Sequence, residues 1–229
     1  MSPFDCIKQV SRQTQRVILF HSATGKDSIA LLDMMRPHFK EIICVYMYII
    51  PNLEHINKYI NWAQNKYNVK FIETIHYALP SYIKNGTLGI KQNKNTKTYN
   101  LNKIDEFIRT KTGAEWSFYG FKQSDGLNRR LMLQTYTGDC ISEKSKKAYP
   151  LSEWKNKDIL AYINQNDLIH PIDYGVKSIS TGTSIDDIDF LLWTQKYHPN
   201  DLKKIIDIFP FVEQKIFEYE YQQRKKEEL

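Results

Sequence analysis

Gly25, Lys26, Asp27 and Ser28 close one apolar run and open the next, and their types suit an anion held between a backbone turn and a cation. Glycine lets the backbone approach a ligand closely, lysine brings a charge, and the serine hydroxyl can add a direct contact. A carboxylate at Asp27 suits a metal that bridges phosphates, or a polar nucleotide group. Ser22, Ala23 and Thr24 complete the turn, so residues 22 to 28 are nucleotide-contact candidates, with Lys26 and Asp27 in catalytic roles and Asp27 as the ligand of a Mg²⁺ ion. A second cluster lies in WSFYGFKQSDGLNRR, residues 116 to 130. There an aromatic stretch ends at Gly120, and a polar turn delivers Lys122, Ser124, Arg129 and Arg130. Arginine forks grip phosphate or sulfate oxygens in pairs, and Lys or Ser can finish the cradle. Which of Arg129 and Arg130 faces such a site is left open by their adjacency.

These residues need a scaffold. Val17 to Phe20 are apolar and β-prone, whereas Ile29, Leu31, Leu32 and Met35 recur at helical spacing, which predicts a strand, a tight turn and a helix start. Free N–H groups at that helix start favour anions. A Walker A loop is excluded, because Phe20 stands where its first glycine is required and Asp27 where its Ser or Thr is required. Further on, residues 41 to 50 read as a strand, 53 to 67 as a helix and 69 to 77 as a strand. This alternation predicts an α/β fold with a doubly wound, mainly parallel sheet, Rossmann-like, whose ligands bind at the carboxyl ends of the strands. Tyr46 and Tyr48, near the end of the second strand, are candidates to support an adenine, or they pack in the sheet. Residues 83 to 103 carry Lys84, Lys91, Lys94, Lys97 and Lys103 among Asn and Thr and read as a long loop or flap. The basic loop is either a solvated surface or a lid that attracts a polyanion.

Composition frames the reading. The 229 residues are 41% hydrophobic and 25% charged, with a formal charge of +6 that suits an anionic partner. No apolar run approaches the roughly 18 to 20 residues of a membrane span, and the first residues lack a signal-peptide core, which predicts a cytoplasmic protein without a membrane partner. Cys6, Cys44 and Cys140 are widely separated, so neither a disulfide framework nor an iron–sulfur cluster is expected.

The turn at residues 22 to 28 resembles the PP-loop, Ser-Gly-Gly-Lys-Asp-Ser, of the adenine nucleotide α-hydrolase-like superfamily, which includes the phosphoadenosine phosphosulfate (PAPS) reductase family. Ala23 stands in place of its Ser and Thr24 in place of its first Gly. Residues 120 to 130 resemble that family's Gly-x-Arg-x-x-x-Ser-x-x-Arg segment, with Lys122 at the first Arg. Residues 150 to 159, PLSEWKNKDI, resemble its Pro-Leu-x-x-Trp-x-x-x-Asp-Ile stretch, in which Trp154 and Asp158 read as structural. The tail from Ser180 is similar to the helical ends of small, phage-type members, whose location would be the host cytoplasm. The resemblance implies a nucleotide-binding α/β domain over 1–175 and a helical C-terminal extension over 176–229 packed on the same domain.

Reductases that resemble this chain carry a C-terminal Glu-Cys-Gly-Leu-His segment, and here no cysteine follows Cys140. The resemblance therefore implies an adenine nucleotide ligand, ATP or PAPS/APS, with ATP-dependent adenylyl transfer and pyrophosphate release onto an acceptor, as in thiolation or nucleic-acid modification. The acceptor is a nucleic acid or a protein, and a homodimer is compatible. One alternative is a sulfonucleotide reductase that uses Cys140, activated by Lys144, Lys146 and Lys147, or a partner's thiol. Another is a non-catalytic nucleotide-binding regulator with a protein or DNA partner.

Overall fold

β1 (Arg16–Phe20) is exposed only at its first residue and buried at the next four, the continuous apolar pattern of a central parallel strand. In this computed structural model, which describes residues 1–172 and 185–227, it lies in a six-stranded sheet of order β3-β2-β1-β4-β6-β5. β2 (Glu41–Tyr48) and β4 (Trp116–Phe118) both run parallel to β1, with Phe20 opposite Val45 and Leu19 opposite Phe118. β3 is Lys70–Ile75, β5 Ile141–Ser142 and β6 Lys147–Ala148; β6 is parallel to β4, and the β5–β6 hairpin is antiparallel. The doubly wound α/β architecture is therefore as expected. Chain order runs outward from β1 in both directions, so the gap beyond the carboxyl ends of β1 and β4 is the switch point where such sheets bind ligands.

In chain order the helices up to Gln165 are α1 (Pro3–Ser11), α2 (Lys26–Met35), α3 (Glu54–Tyr67), α4 (Leu79–Asn85), α5 (Leu101–Thr112), α6 (Leu127–Leu133) and α7 (Asn156–Gln165). Ser2 caps α1 by accepting from the Asp5 amide, with Pro3 in the first turn. α2 buries Ile29, Leu31, Leu32 and Met35 and packs on α7. Asp33 of α2 accepts the hydroxyls of Tyr67 at 2.8 Å and Tyr162 at 2.7 Å, tying the end of α3 and α7 to one carboxylate. Asp105 of α5, 3% exposed, accepts the Ser117 hydroxyl and pairs with Arg109 and Lys147, so α5 is pinned to β4 and β6.

Two compact units share the chain. The first comprises Met1–Met47, Tyr59–Thr74 and Leu101–Ile172; the second comprises Tyr48–Lys58, Ile75–Asn100 and the C-terminal segment. The expected boundary at 175/176 and the start of the tail at Ser180 fall outside the described residues. In the second unit, α8 (Ile188–Tyr197), α9 (Pro199–Ile208) and α10 (Phe211–Glu227) pack on one another around Phe190, Leu191, Ile205 and Phe209. Asp201, fully buried, accepts the Glu54 amide at 2.7 Å and the His55 amide at 3.1 Å, and so serves as the N-terminal acceptor of α3 from a distant helix.

The segment read as a loop or flap is ordered differently. Its start belongs to α4, its end to α5, and the stretch between is fastened back: the Asn93 amide donates to the Ile83 carbonyl at 3.0 Å and the Gln92 side chain to the Lys84 carbonyl at 3.2 Å. Weak periodicity hid these elements, because α4 is short and its hydrogen bonds to 92–93 are non-local. Likewise the second strand stops at Tyr48, before the expected Ile50.

Candidate functional site

Three amides hold the turn after β1 in shape. The Ser22 amide donates to Ser28 Oγ at 3.0 Å, the Ala23 amide to His21 Nδ1 at 3.0 Å, and the Thr24 amide to the Ser22 carbonyl at 2.8 Å. Ala23 is left-handed, at φ 58°, a conformation costly for a residue with a Cβ and here fixed by the His21 acceptor. The next three amides, of Gly25, Lys26 and Asp27, find no acceptor among the described residues. They are the open donors of the α2 N-terminus, which has no side-chain cap.

Gly25 also has a steric role within the turn itself. A Cβ there would lie 2.3 Å from Ser22 Oγ, which is itself 2.9 Å from Ser28 Oγ. The glycine thus makes room for the Ser22–Ser28 pair that closes the turn on itself. His21 was not legible as a site residue, although one polar side chain ending an apolar run was the available signal. It is 2% exposed, and burial lowers its pKa to about 3. With Nδ1 accepting, the proton sits on Nε2, which has no partner among the described residues.

Lys26 and Lys122, only 4% and 3% exposed, converge on Asp27. Lys122 Nζ is 2.6 Å from Asp27 Oδ1 and Lys26 Nζ is 3.5 Å from Oδ2. Lys122 also meets Asp125 at 3.1 Å, and Asp125 in turn takes Arg129 at 3.1 Å. Arg129 lies over Phe121, its guanidinium carbon 3.6 Å from the ring centroid. Gly120 allows this convergence, since a Cβ on it would come within 2.9 Å of Asp27 Cβ. The carboxyl ends of β1 and β4 thereby meet through charged side chains at the switch point.

Of the expected site residues, the fold brings Gly120, Lys122 and Arg129 into one network with the turn at 22 to 28. Ser124 is exposed and donates to the Trp154 carbonyl at 3.4 Å, and Arg130 is exposed on α6, so neither joins the network through a contact. Tyr46, 7% exposed, stands one residue beyond the Phe20–Val45 pair, while Tyr48 belongs to the second unit. Phe121 and Asp125 were missed, because their role depends on contacts with Arg129 and Lys122 that spacing does not display.

The described residues assemble no preformed site for Mg²⁺. Both Asp27 oxygens already face ammonium groups, and no cluster of three or more His, Cys, Asp or Glu residues suited to a metal exists among the described residues. Asp27 is better matched to its two lysines than to a hard cation, which would have to displace Lys122.

The thiols are buried as well. Cys6, Cys44 and Cys140 are each 0% exposed. Cys140 lies against Met1 Sδ at 3.7 Å and the Thr137 carbonyl at 3.8 Å. Its pKa is lowered, chiefly by the neighbouring Cys6 thiol and in smaller part by the positive amino terminus; the lysines at 144 to 147 are not the cause.

The model of the phosphoadenosine phosphosulfate reductase domain matches residues 17–174, which takes in β1, the turn and the Lys122 segment. The chain belongs to that family. A search of curated proteins gives no match. Among solved structures, this PAPS reductase-family chain is similar to the phosphoadenylyl-sulfate (PAPS) reductase from Candida auris in its phosphate complex, at 13% identity and a TM-score of 0.49 over 75% of this chain and 82% of that one. It is also similar to the NH3-dependent NAD synthetase from Campylobacter jejuni in complex with nitrate, at 14% identity and a TM-score of 0.46 over 96% of this chain and 93% of that one. Among the described residues, no helix of this family member is long and apolar enough to cross a membrane.

Proposed function

We propose that the chain binds ATP with its phosphates against the turn at 22 to 28 and transfers an adenylyl group to an acceptor, a nucleic acid or a protein. The observation that carries this reading is the pairing of three open amides, Gly25 to Asp27, with two buried lysines at the switch point of the sheet. In the reaction an acceptor oxygen, already anionic, forms a bond to the α-phosphorus. The bond from that phosphorus to the bridging oxygen breaks, and pyrophosphate leaves with the electron pair. Lys26, Lys122 and the open amides stabilise the charge that accumulates on the phosphates, so positioning and electrostatics suffice and no protein nucleophile is needed. Mg²⁺ bound with the nucleotide would be held by its phosphates and would add charge neutralisation, with Asp27 open to it only where Lys122 gave way.

Reduction of a sulfonucleotide would need a thiolate, and the full burial of all three cysteines weighs against one from this chain. Incubation with ATP and with PAPS, followed by mass spectrometry of the products, separates the readings. Pyrophosphate and an adenylylated acceptor, or AMP, are expected from ATP. Sulfite release from PAPS with a dithiol reductant would favour the reductase, and tight binding without turnover would favour a regulator.

A further inference from the structure

Lys84, Lys91, Lys94 and Lys97 are exposed, and none takes part in an ion pair among the described residues. All four lie in the Ile75–Asn100 part of the second unit, a stretch without a single Asp or Glu. Ordinary solvated surfaces mix the two signs, and uncompensated lysines repel one another, so this segment bears a cost that a bound polyanion would relieve. The hydrogen bonds from Asn93 to Ile83 and from Gln92 to Lys84 bring the 91–94 stretch back beside the end of α4, which places Lys84 next to the later lysines. A turn closed by the Thr96 amide on the Asn93 carbonyl, at 3.1 Å, then presents Lys94 at its tip and Lys97 just after it. The four charges thus lie on one short, tethered stretch of backbone.

An aromatic ring adjoins this stretch. Phe211 is 58% exposed, and its ring lies against Gly89, where a Cβ would come within 3.0 to 3.2 Å of three ring carbons. Gly89 has φ +81°, a left-handed turn that lets the backbone pass this close to the half-exposed ring. Clustered lysines that track a phosphate backbone, with a flat ring available for stacking, are the two elements of single-strand recognition. The lysines alternate with the amides and hydroxyls of Asn, Gln and Thr, which suit sugar and phosphate.

We propose that this face of the second unit binds single-stranded nucleic acid, with Lys84, Lys91, Lys94 and Lys97 on its phosphates and Phe211 under a base. The binding is independent of the adenylyl-transfer reading, because it uses none of the residues around Asp27.

The test is fluorescence anisotropy of a labelled, mixed-sequence single-stranded RNA of about 16 nucleotides against the full chain at several salt concentrations. Replacing the four lysines by Gln should lower the magnitude of the slope of log K on log salt by about 3, since each single-strand phosphate contact contributes roughly 0.7. A matched variant, K8Q/K40Q/K111Q/K157Q, removes the same charge from exposed lysines of the first unit and should leave most of the slope intact. Phe211→Ala should weaken binding about tenfold with the slope unchanged, as expected for a stacking loss. Equal slopes for both lysine variants would overturn the proposal, reducing the effect to net charge. So would binding to phosphatidylserine vesicles without binding to the RNA. Thermal melts and ATP calorimetry on every variant distinguish a lost surface from a lost fold.

Discussion

Asp27 stands where an anionic ligand would otherwise find two buried lysines, so its charge competes with that ligand. Asp27→Asn should therefore tighten the binding of inorganic pyrophosphate in the absence of metal, by roughly fivefold for one unit charge removed from a partly solvated site. Calorimetry in EDTA reads this directly. Weaker or unchanged binding would mean that the carboxylate holds the lysines in place instead of competing with the ligand. His21 leads to a different expectation. Burial lowers its pKa to about 3, against about 6.5 in the unfolded chain, so between those values the unfolded state binds a proton that the folded state refuses. Stability is then retained above pH 6.5 and declines as the pH falls, by up to about 1.4 kcal/mol per pH unit from this residue. His55 acts in the same direction, its pKa lowered by burial despite Asp201. His21→Asn keeps an acceptor near Nδ1 but cannot titrate, so urea midpoints measured from pH 7 to pH 5 should fall less steeply for the variant. Parallel curves would locate the acid sensitivity elsewhere.

At the scale of elements, β1, the turn and α2 were legible because three independent signals coincide there: apolar content, a change of hydrophobic period, and a Gly-Lys-Asp-Ser turn. The α4 and β5–β6 elements were not, since two-residue strands and a seven-residue helix are too short to show a period. Lys122 was recognisable as a basic residue at a strand end, yet its partner Asp27 lies 95 positions away, a pairing that only sheet topology creates. The same holds for Asp201, whose carboxylate serves the α3 N-terminus from 146 and 147 positions downstream. Asp201→Ala would leave two amides and the His55 ring unpaired in a buried setting, with His55 Nδ1 only 2.7 Å from the lost oxygen. A destabilisation of about 3 kcal/mol is expected. It would appear in urea unfolding, and a shift under about 0.5 kcal/mol would show that water replaces the carboxylate.

For the molecule as a whole, family and architecture were readable, because the motif segments fall in order along most of the chain. The reaction was less so, because it depends on an acceptor that no residue pattern names. The thiols bear on this directly: with all three at 0% exposure, Cys140→Ala should retain at least about half of the ATP-dependent activity, whereas abolition of turnover in a variant with a normal melt would restore the reductase reading. One property of the turn after β1 reaches beyond affinity. Its Ser22, Ala23 and Thr24 amides are engaged by neighbours within the turn, and the Ala23 dihedral is held by a histidine rooted in the core. Such a loop has little conformational freedom left to surrender when a nucleotide arrives. Stopped-flow association should then show one concentration-dependent phase, without the slower step of a loop that closes over its ligand, and the encounter rate should fall with added salt as expected for capture steered by charge.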